Sequence, residues 1–489
     1  MPEPETPVIT TSLFLGIVTS TFLRLCSLAP LTIMFLANPF DAKIAALESL
    51  SIECSARCDS IIQIEVLKLD VSCDMDIESF GYPRYLFFKE IFMALDFRSL
   101  LADHIPDGGR GARPRRGKYD FAVAYPDPVS LPHDKIMECL SEALSETGDD
   151  LAVYPHPQGN TPLREYVAEK IKRERDINAT ADDIILGNGS GQPIDMISAI
   201  LVNPGDVVIT DEWVYGGTLN TLRRHSADIR GVSSDEEGMD PEALDFEIAK
   251  AVQEGKRPKY VYLIATFQNP QGFTITKRRR EQLLEVTHRH GVPILEDDCY
   301  ADNRYGGEQV TSMYNLDDQN SVMYVGSFSK IIAPGMSLGY MTGPGDVLDR
   351  AMTVKSGRIS EFTAMAVEKF ARRYLDAHVE EINSIQRVKR DAMLASLGEN
   401  FGTGAEWSDP DGGLYIWMKL NDDADMVSLS AKALEEIDVG FHPGTNYSPD
   451  GASGRNYIRL CYGYNQPEEI EEGIGKLGDF LAKEGALQS

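Results

Sequence analysis

The nine residues Ser327-Phe328-Ser329-Lys330-Ile331-Ile332-Ala333-Pro334-Gly335 follow the apolar run Val322-Met323-Tyr324-Val325-Gly326, and covalent chemistry is most legible there. A strand delivers the side chains at its end to whatever crevice the sheet leaves, so a lysine just beyond it meets a ligand there. Ser327 and Ser329, three and one residues before the lysine, carry hydroxyls that make poor core but can donate to a phosphate. Pro334-Gly335 stops a long helix from carrying the lysine away. An amine so placed can form a Schiff base with an aldehyde cofactor, with anion donors beside it. The same peptide also reads as a solvated lysine in a strand-to-loop turn.

Three further stretches bear on that choice. Gly187-Asn188-Gly189-Ser190-Gly191-Gln192-Pro193 lies between a strand-like run and a helix, where glycines let the backbone approach an anion and Ser190 can donate to it. It fits neither the dinucleotide fingerprint nor a P-loop. Phe267-Gln268-Asn269-Pro270 sets an amide at a strand end, either as a fixed donor or as a plain Asx-Pro turn. Leu295-Glu296-Asp297-Asp298-Cys299-Tyr300 ends an apolar run with three acids, which are costly to bury unless something positive lies beside them. A protonated pyridine nitrogen is one such partner, with Tyr300 a donor to a neighbouring phenolate; a magnesium ion is another.

The order of these pieces, at 187, 269, 297 and 330, each at the C-terminal end of an expected strand, matches where α/β sheets bind ligands. On these motifs the chain resembles fold-type I pyridoxal-phosphate enzymes over residues 95–485, in particular the class I/II aminotransferases similar to 2-aminoadipate, kynurenine and aromatic aminotransferases. The resemblance implies pyridoxal 5′-phosphate as cofactor and transfer of an α-amino group from an amino acid to a 2-oxo acid. It implies Lys330 as the Schiff-base lysine, Asp297 as the acid at the pyridine nitrogen, and Asn269 and Tyr300 as donors to the cofactor's O3′. Ser190, Gly191, Gln192 and Ser327 match phosphate contacts. Tyr215 matches the ring that stacks on the cofactor, and Arg459, with Asn269 and Tyr125, the grip on substrate through a bidentate fork to its α-carboxylate. Tyr154 matches a tyrosine that reaches the phosphate of the neighbouring subunit, which implies a homodimer with shared sites. Taken without the resemblance, Tyr215 reads as a core aromatic and Arg459 as a surface residue on a strand.

Two positions depart from the family pattern. Ser337 stands where an arginine normally binds the cofactor phosphate, leaving Lys355 and Arg358 as replacements to be located, and Val123-Ala124 replaces the usual Gly-Gly near the substrate. Other chemistries on the same fold, such as decarboxylation, elimination or oxidation, therefore stand as alternatives. So does a regulatory module fused to a DNA reader, which a net charge of −29 opposes.

The elements that must hold these residues alternate. Apolar runs at 206–210, 260–266, 292–295, 322–326 and 338–341 are separated by helical patterns such as 276–290, predicting a mostly parallel α/β sheet. Helices are expected at 134–146 and 161–175. The last third predicts a long helix over 362–397, a strand at 412–417, a helix near 427–437, a strand at 456–460 and a helix over 467–483. The expected division is an N-terminal arm at 93–133, a large cofactor domain at 134–361 and a smaller α+β domain at 362–489. Residues 1–92 read as an appendage or an over-extended reading frame, with the working protein starting near Met93 and a basic linker at 106–117. The apolar stretch near the N-terminus is broken by Arg24 and Pro30, against a membrane span. Seven scattered cysteines without a zinc spacing point to reduced thiols and a cytoplasmic protein.

Overall fold

The computed structural model describes residues 97–101 and 115–487, so the expectations for residues 1–92 and for most of the linker lie outside the described residues. Seven strands form the main sheet: β1 (Ile185–Asn188), β2 (Val207–Asp211), β3 (Asp228–Val232), β4 (Val261–Leu263), β5 (Ile294–Asp297), β6 (Val322–Ser327) and β7 (Leu338–Thr342), in the spatial order β1-β7-β6-β5-β4-β2-β3. β7 is antiparallel to both its neighbours and every other pairing is parallel. Period-two alternation sends Val207, Ile294 and Val322 to one face and Val208, Leu295 and Met323 to the other, so both faces need a cover.

Helices supply it. After α1 (His133–Thr147) and α2 (Thr161–Arg175), the crossovers are α3 (Gly191–Leu201), α4 (Gly216–Arg224), α5 (Pro241–Gln253) and α6 (Lys277–His290). Ile194, Leu219 and Leu222 of α3 and α4 pack on one face of the sheet, and Leu244, Ile248, Leu283 and Val286 of α5 and α6 on the other. Their starts are written locally. Asn160 caps α2 by accepting from the Leu163 N–H at 2.9 Å, Asp240 caps α5 before Pro241, and Thr276 caps α6.

After α7 (Gly345–Val354), the helix α8 (Glu361–Phe401) is longer than its sequence pattern suggested and serves two cores. Val367, Phe370 and Leu375 pack with α2, whereas Met393, Leu397 and Phe401 pack under a second, antiparallel sheet. That sheet has the order Glu406–Trp407, β8 (Tyr415–Lys419), β9 (Tyr457–Cys461), His442–Pro443, and it is completed by α9 (Met426–Glu436) and α10 (Pro467–Lys483). The architecture is a large, mostly parallel α/β domain and a smaller α+β domain. Tyr119–Asp120 pairs in parallel with Val439–Gly440 of the smaller domain. This pairing leads Val123-Ala124-Tyr125 along the seam between the two sheets. Among the described residues, no helix is long and apolar enough to cross a membrane.

Candidate active site

β6 ends at Ser327, and the chain turns at once, with the Ile332 N–H donating to Phe328 O at 2.8 Å. The turn leaves Lys330 half-buried in a cavity of about 960 Å³ that Ser190, Tyr215, Asp297, Tyr300 and Arg459 also line. Its Nζ donates to Ala124 O at 2.9 Å. Burial lowers the Lys330 pKa below the usual lysine value, and the Arg459 charge adds to the effect. An amine so perturbed is neutral for more of the time, which is what a nucleophile or proton carrier requires.

The three acids at the end of β5 diverge, because successive strand residues face opposite ways. Glu296 is buried against Arg280, 3.4 Å away, and accepts from the Met313 and Tyr314 N–H groups. Asp298 pairs with Arg175 at 2.7 Å and accepts from the Tyr324 hydroxyl at 2.6 Å, in a network that continues through Asp302 to Lys170. Asp297 alone faces the cavity, its carboxylate accepting from the Tyr262 hydroxyl at 2.7 Å and the Cys299 N–H at 3.3 Å. This separation overturns the magnesium reading, since two of the three carboxylates are already committed to arginines. Burial raises the Asp297 pKa, and among the described residues it has no cationic partner. A cationic ring nitrogen would supply one.

The small domain contributes Arg459 from β9. Its Nη1 donates to Asn269 Oδ1 at 3.0 Å and its Nη2 to Ala122 O at 2.5 Å, while its buried Nε has no partner among the described residues. The guanidinium lies 4.5 Å from the Tyr415 ring centroid and 4.9 Å from that of Tyr447. Asn269, its oxygen fixed by Arg459, directs Nδ2 to the Tyr300 hydroxyl at 3.1 Å. Asn269, Tyr300 and Arg459 are thus one hydrogen-bonded unit, fed by two strand ends of the large sheet and one strand of the small one.

At the far side, Gly189 adopts φ +65°, and a Cβ added at Gly191 would meet nothing within 4 Å. Across the sheet, Gly339 passes so close that its Cβ would fall 2.5 Å from the Gly189 carbonyl carbon. The open turn before α3, with Ser190 and the helix's free N–H groups, is a cradle of the kind that holds phosphate. Ser327 lines the same cavity, and its Oγ accepts from the Ser329 N–H at 3.1 Å. With an amine, an unpaired buried carboxylate and an anion cradle around one cavity, the residues fit pyridoxal 5′-phosphate.

One expected side chain is placed differently. The Gln192 side chain is turned away from the cavity: its Oε1 accepts from the Asn188 N–H and its Nε2 donates to Ser356 O at 2.7 Å, because α3 begins one residue earlier and points that side chain outward. Tyr154 is 88% exposed and lines a second cavity of about 630 Å³ with Lys355 and Arg358. The Arg358 guanidinium lies 5.2 Å from the Tyr154 ring centroid. The two candidate replacements for the family arginine are therefore absent from the Lys330 cavity. Ser337 itself is exposed in the left-handed region at φ 50°, with its carbonyl accepting from the Gly189 N–H at 2.8 Å. Tyr125 and Tyr215 both line the Lys330 cavity. Ala124, at the usual glycine position, is the residue whose carbonyl holds Lys330.

Further residues border this cavity or reach the groups that line it. Cys299 borders it beside Asp297 and Ser190, with burial pushing its thiol up. His442 sits opposite Arg459 across the ladder, its pKa pushed down to about 4 by burial and by the Arg459 charge. Tyr262 and Tyr415 had only the signature of core aromatics on strands.

A family model described as aminotransferase class I and II matches residues 124–477. Aromatic-amino-acid aminotransferase 1 of Thermococcus litoralis is 31% identical over 368 residues, covering 74% of this chain and 88% of the relative. The 2-aminoadipate transaminase of Thermus thermophilus is 29% identical over 373 residues, covering 75% and 91%. Among solved structures, the multiple substrate aminotransferase of Thermococcus profundus superposes with a TM-score of 0.75 at 27% identity, over 80% of this chain and 99% of that one. The chain belongs to the class I and II aminotransferase family. It is an enzyme of fold type I that transfers an amino group from an amino acid to a 2-oxo acid on pyridoxal 5′-phosphate.

Proposed function

We propose that Lys330 carries the cofactor and the proton in this transamination, with Asp297, Tyr300, Asn269 and Arg459 in the roles their surroundings suit. One observation carries the reading: a half-buried amine with a lowered pKa, tied among the described residues to a single carbonyl, shares its cavity with a buried carboxylate that has no cation among them. When bound, pyridoxal 5′-phosphate supplies an aldehyde that condenses with amines and a ring that draws electrons from the substrate's Cα. Asp297 keeps the ring nitrogen protonated, since an anion held in a buried site favours the charged form of its neighbour. Tyr300 and Asn269 donate to the cofactor's phenolic oxygen. Ser190, Gly191, Ser327 and the Gln192 backbone N–H hold the phosphate, and Tyr215 covers the ring. Lys330 Nζ takes the proton from Cα and delivers it to C4′. Arg459 orients the α-carboxylate, with Asn269 and Tyr125 beside it.

The amino donors we infer are long-chain acidic or aromatic amino acids, in keeping with the named substrates of the relatives and with a cavity walled by Tyr125, Tyr215 and Tyr447. Incubating the holoenzyme with a panel of amino acids and 2-oxoglutarate tests this. A keto acid formed together with glutamate is the expected result; carbon dioxide, ammonia or peroxide instead would contradict it.

Arg459→Lys removes the planar fork and is expected to raise KM for the amino donor about 10–100-fold with a smaller change in kcat. Steady-state kinetics with donor varied checks this. At the phosphate, no arginine at 337 offsets the dianion, so Ser337→Arg is expected to tighten cofactor binding about tenfold, read from titration of the apoenzyme. An unchanged dissociation constant would contradict the phosphate argument.

We further propose a homodimer that shares its sites, with Tyr154 directed at a second copy. Its support is an exposed aromatic beside exposed Leu151 and Val153 on a protein otherwise strongly charged. Light scattering at the dimer mass is expected. Cytoplasmic residence is proposed on the free thiols of Cys139, Cys299 and Cys461.

A further inference from the structure

The Tyr300 hydroxyl has a second protein partner besides Asn269. Tyr415, on β8 of the small domain, places its own hydroxyl 2.5 Å from that of Tyr300, both phenols are buried, and their rings meet edge-on with centroids 5.4 Å apart. The same Tyr415 ring carries the Arg459 guanidinium 4.5 Å from its centroid. Counting protons distinguishes the two directions this bond can take. Asn269 Oδ1 accepts from Arg459, so its Nδ2 faces Tyr300 and can only donate. If Tyr300 donated to Tyr415, the Tyr415 proton would have no acceptor among the described residues, and Tyr300 would have none left for a ligand. If Tyr415 donates, Tyr300 accepts twice and its own proton is directed into the cavity. An anionic oxygen arriving there selects the second arrangement, and each bond in the chain strengthens the next.

We propose that Tyr415 is a positioning residue of the transamination site: its hydroxyl donates to Tyr300, so that Tyr300 donates to the cofactor's phenolic oxygen, while its ring seats Arg459. This inference rests on the roles proposed above for Tyr300 and Arg459. It joins the hydrogen bond to the cofactor and the grip on the substrate carboxylate through one side chain. Tyr415→Phe separates the two functions, because it keeps the ring under Arg459 and removes only the donor.

The test is a pH titration of the visible absorbance of the loaded enzyme, alongside kinetics, for wild type, Tyr415→Phe, Tyr300→Phe and the double variant. A weaker bond to the phenolic oxygen leaves more negative charge on it, which holds the adjacent proton more tightly. Tyr415→Phe is therefore expected to move the absorbance midpoint up by roughly half to one pH unit, with kcat lowered about 3–10-fold and donor KM nearly unchanged. Tyr300→Phe moves the midpoint further, and adding Tyr415→Phe to it moves nothing more, because Tyr415 acts through Tyr300. Tyr415→Leu, which also removes the ring, raises donor KM as well. A wild-type midpoint in Tyr415→Phe, or a shift that adds to that of Tyr300→Phe, overturns the proposal while leaving the Tyr300 role intact. A Tyr300→Phe variant that titrates like wild type overturns both. Cofactor content and melting temperature, followed for every variant, report folding separately.

Discussion

Lys330→Ala is expected to abolish transamination, with a loss of at least about 10⁴-fold in kcat/KM and no loss of fold. The magnitude follows from two functions ending at once, since general acid–base catalysis alone contributes about 10²–10⁴-fold and the covalent tether is removed with it. The fold survives because the Lys330 amine has one partner among the described residues, the Ala124 carbonyl, and its burial already works against its charged form. The cofactor is retained without its tether, because Ser190, Ser327 and the open turn before α3 belong to other elements. Adding a small primary amine such as methylamine is expected to restore a few per cent of the rate, since it supplies a base where the side chain stood. Equilibrium dialysis of the cofactor, circular dichroism and a single-turnover assay with an amino donor check the three parts separately. Substantial residual activity without added amine would remove Lys330 from the reaction.

Asp297→Asn should lose about 10³-fold or more in kcat, because the amide cannot keep a ring nitrogen protonated in a buried site. The substitution preserves volume, and its single amide oxygen can take the position of the carboxylate oxygen that accepts from the Tyr262 hydroxyl. Stability should move the other way in the apoenzyme. Burial raises the Asp297 pKa above that of an unfolded aspartate, so its charged form is the disfavoured one. The penalty is absent below the unfolded pKa of about 3.9, grows as the pH rises, and is complete above the folded pKa. Near pH 7 apo Asp297→Asn should therefore melt at or above wild type, and the difference should vanish toward pH 4. In the loaded enzyme the cofactor's positive ring offsets the penalty, so the ranking reverses. Melting curves of apo and loaded forms across pH separate this account from simple misfolding, in which the variant melts lower in both.

The parts of the site that were legible in the sequence are those that local chemistry dictates. Lys330 after an apolar run, Asp297 at the end of another and Ser190 in a glycine turn are each marked by residues that a strand or helix interior would not choose. The alternation of short apolar runs with helical patterns gave the parallel sheet, whereas Asn160 and Thr276 emerged as helix caps only in the structure. What escaped depends on distance across the chain. Tyr262 and Tyr415 lie on strands where aromatics are ordinary core, and nothing local reveals that their hydroxyls reach Asp297 and Tyr300. His442 acquires its low pKa only because the ladder sets it opposite Arg459. Gln192 shows the reverse case, a polar residue in the right motif whose helix phase turns its side chain outward. The run at 260–266 pairs in the sheet only at Val261–Leu263, because beyond it the chain leaves the ladder to bring Asn269 under Arg459.

One measurement reaches the central claim directly. The yellow loaded enzyme is reduced with borohydride, digested, and the peptide carrying the cofactor is sequenced by mass spectrometry. The account predicts a single stable adduct on Lys330. An adduct on a different lysine, or a pure protein that stays colourless and takes up no pyridoxal 5′-phosphate, would contradict it.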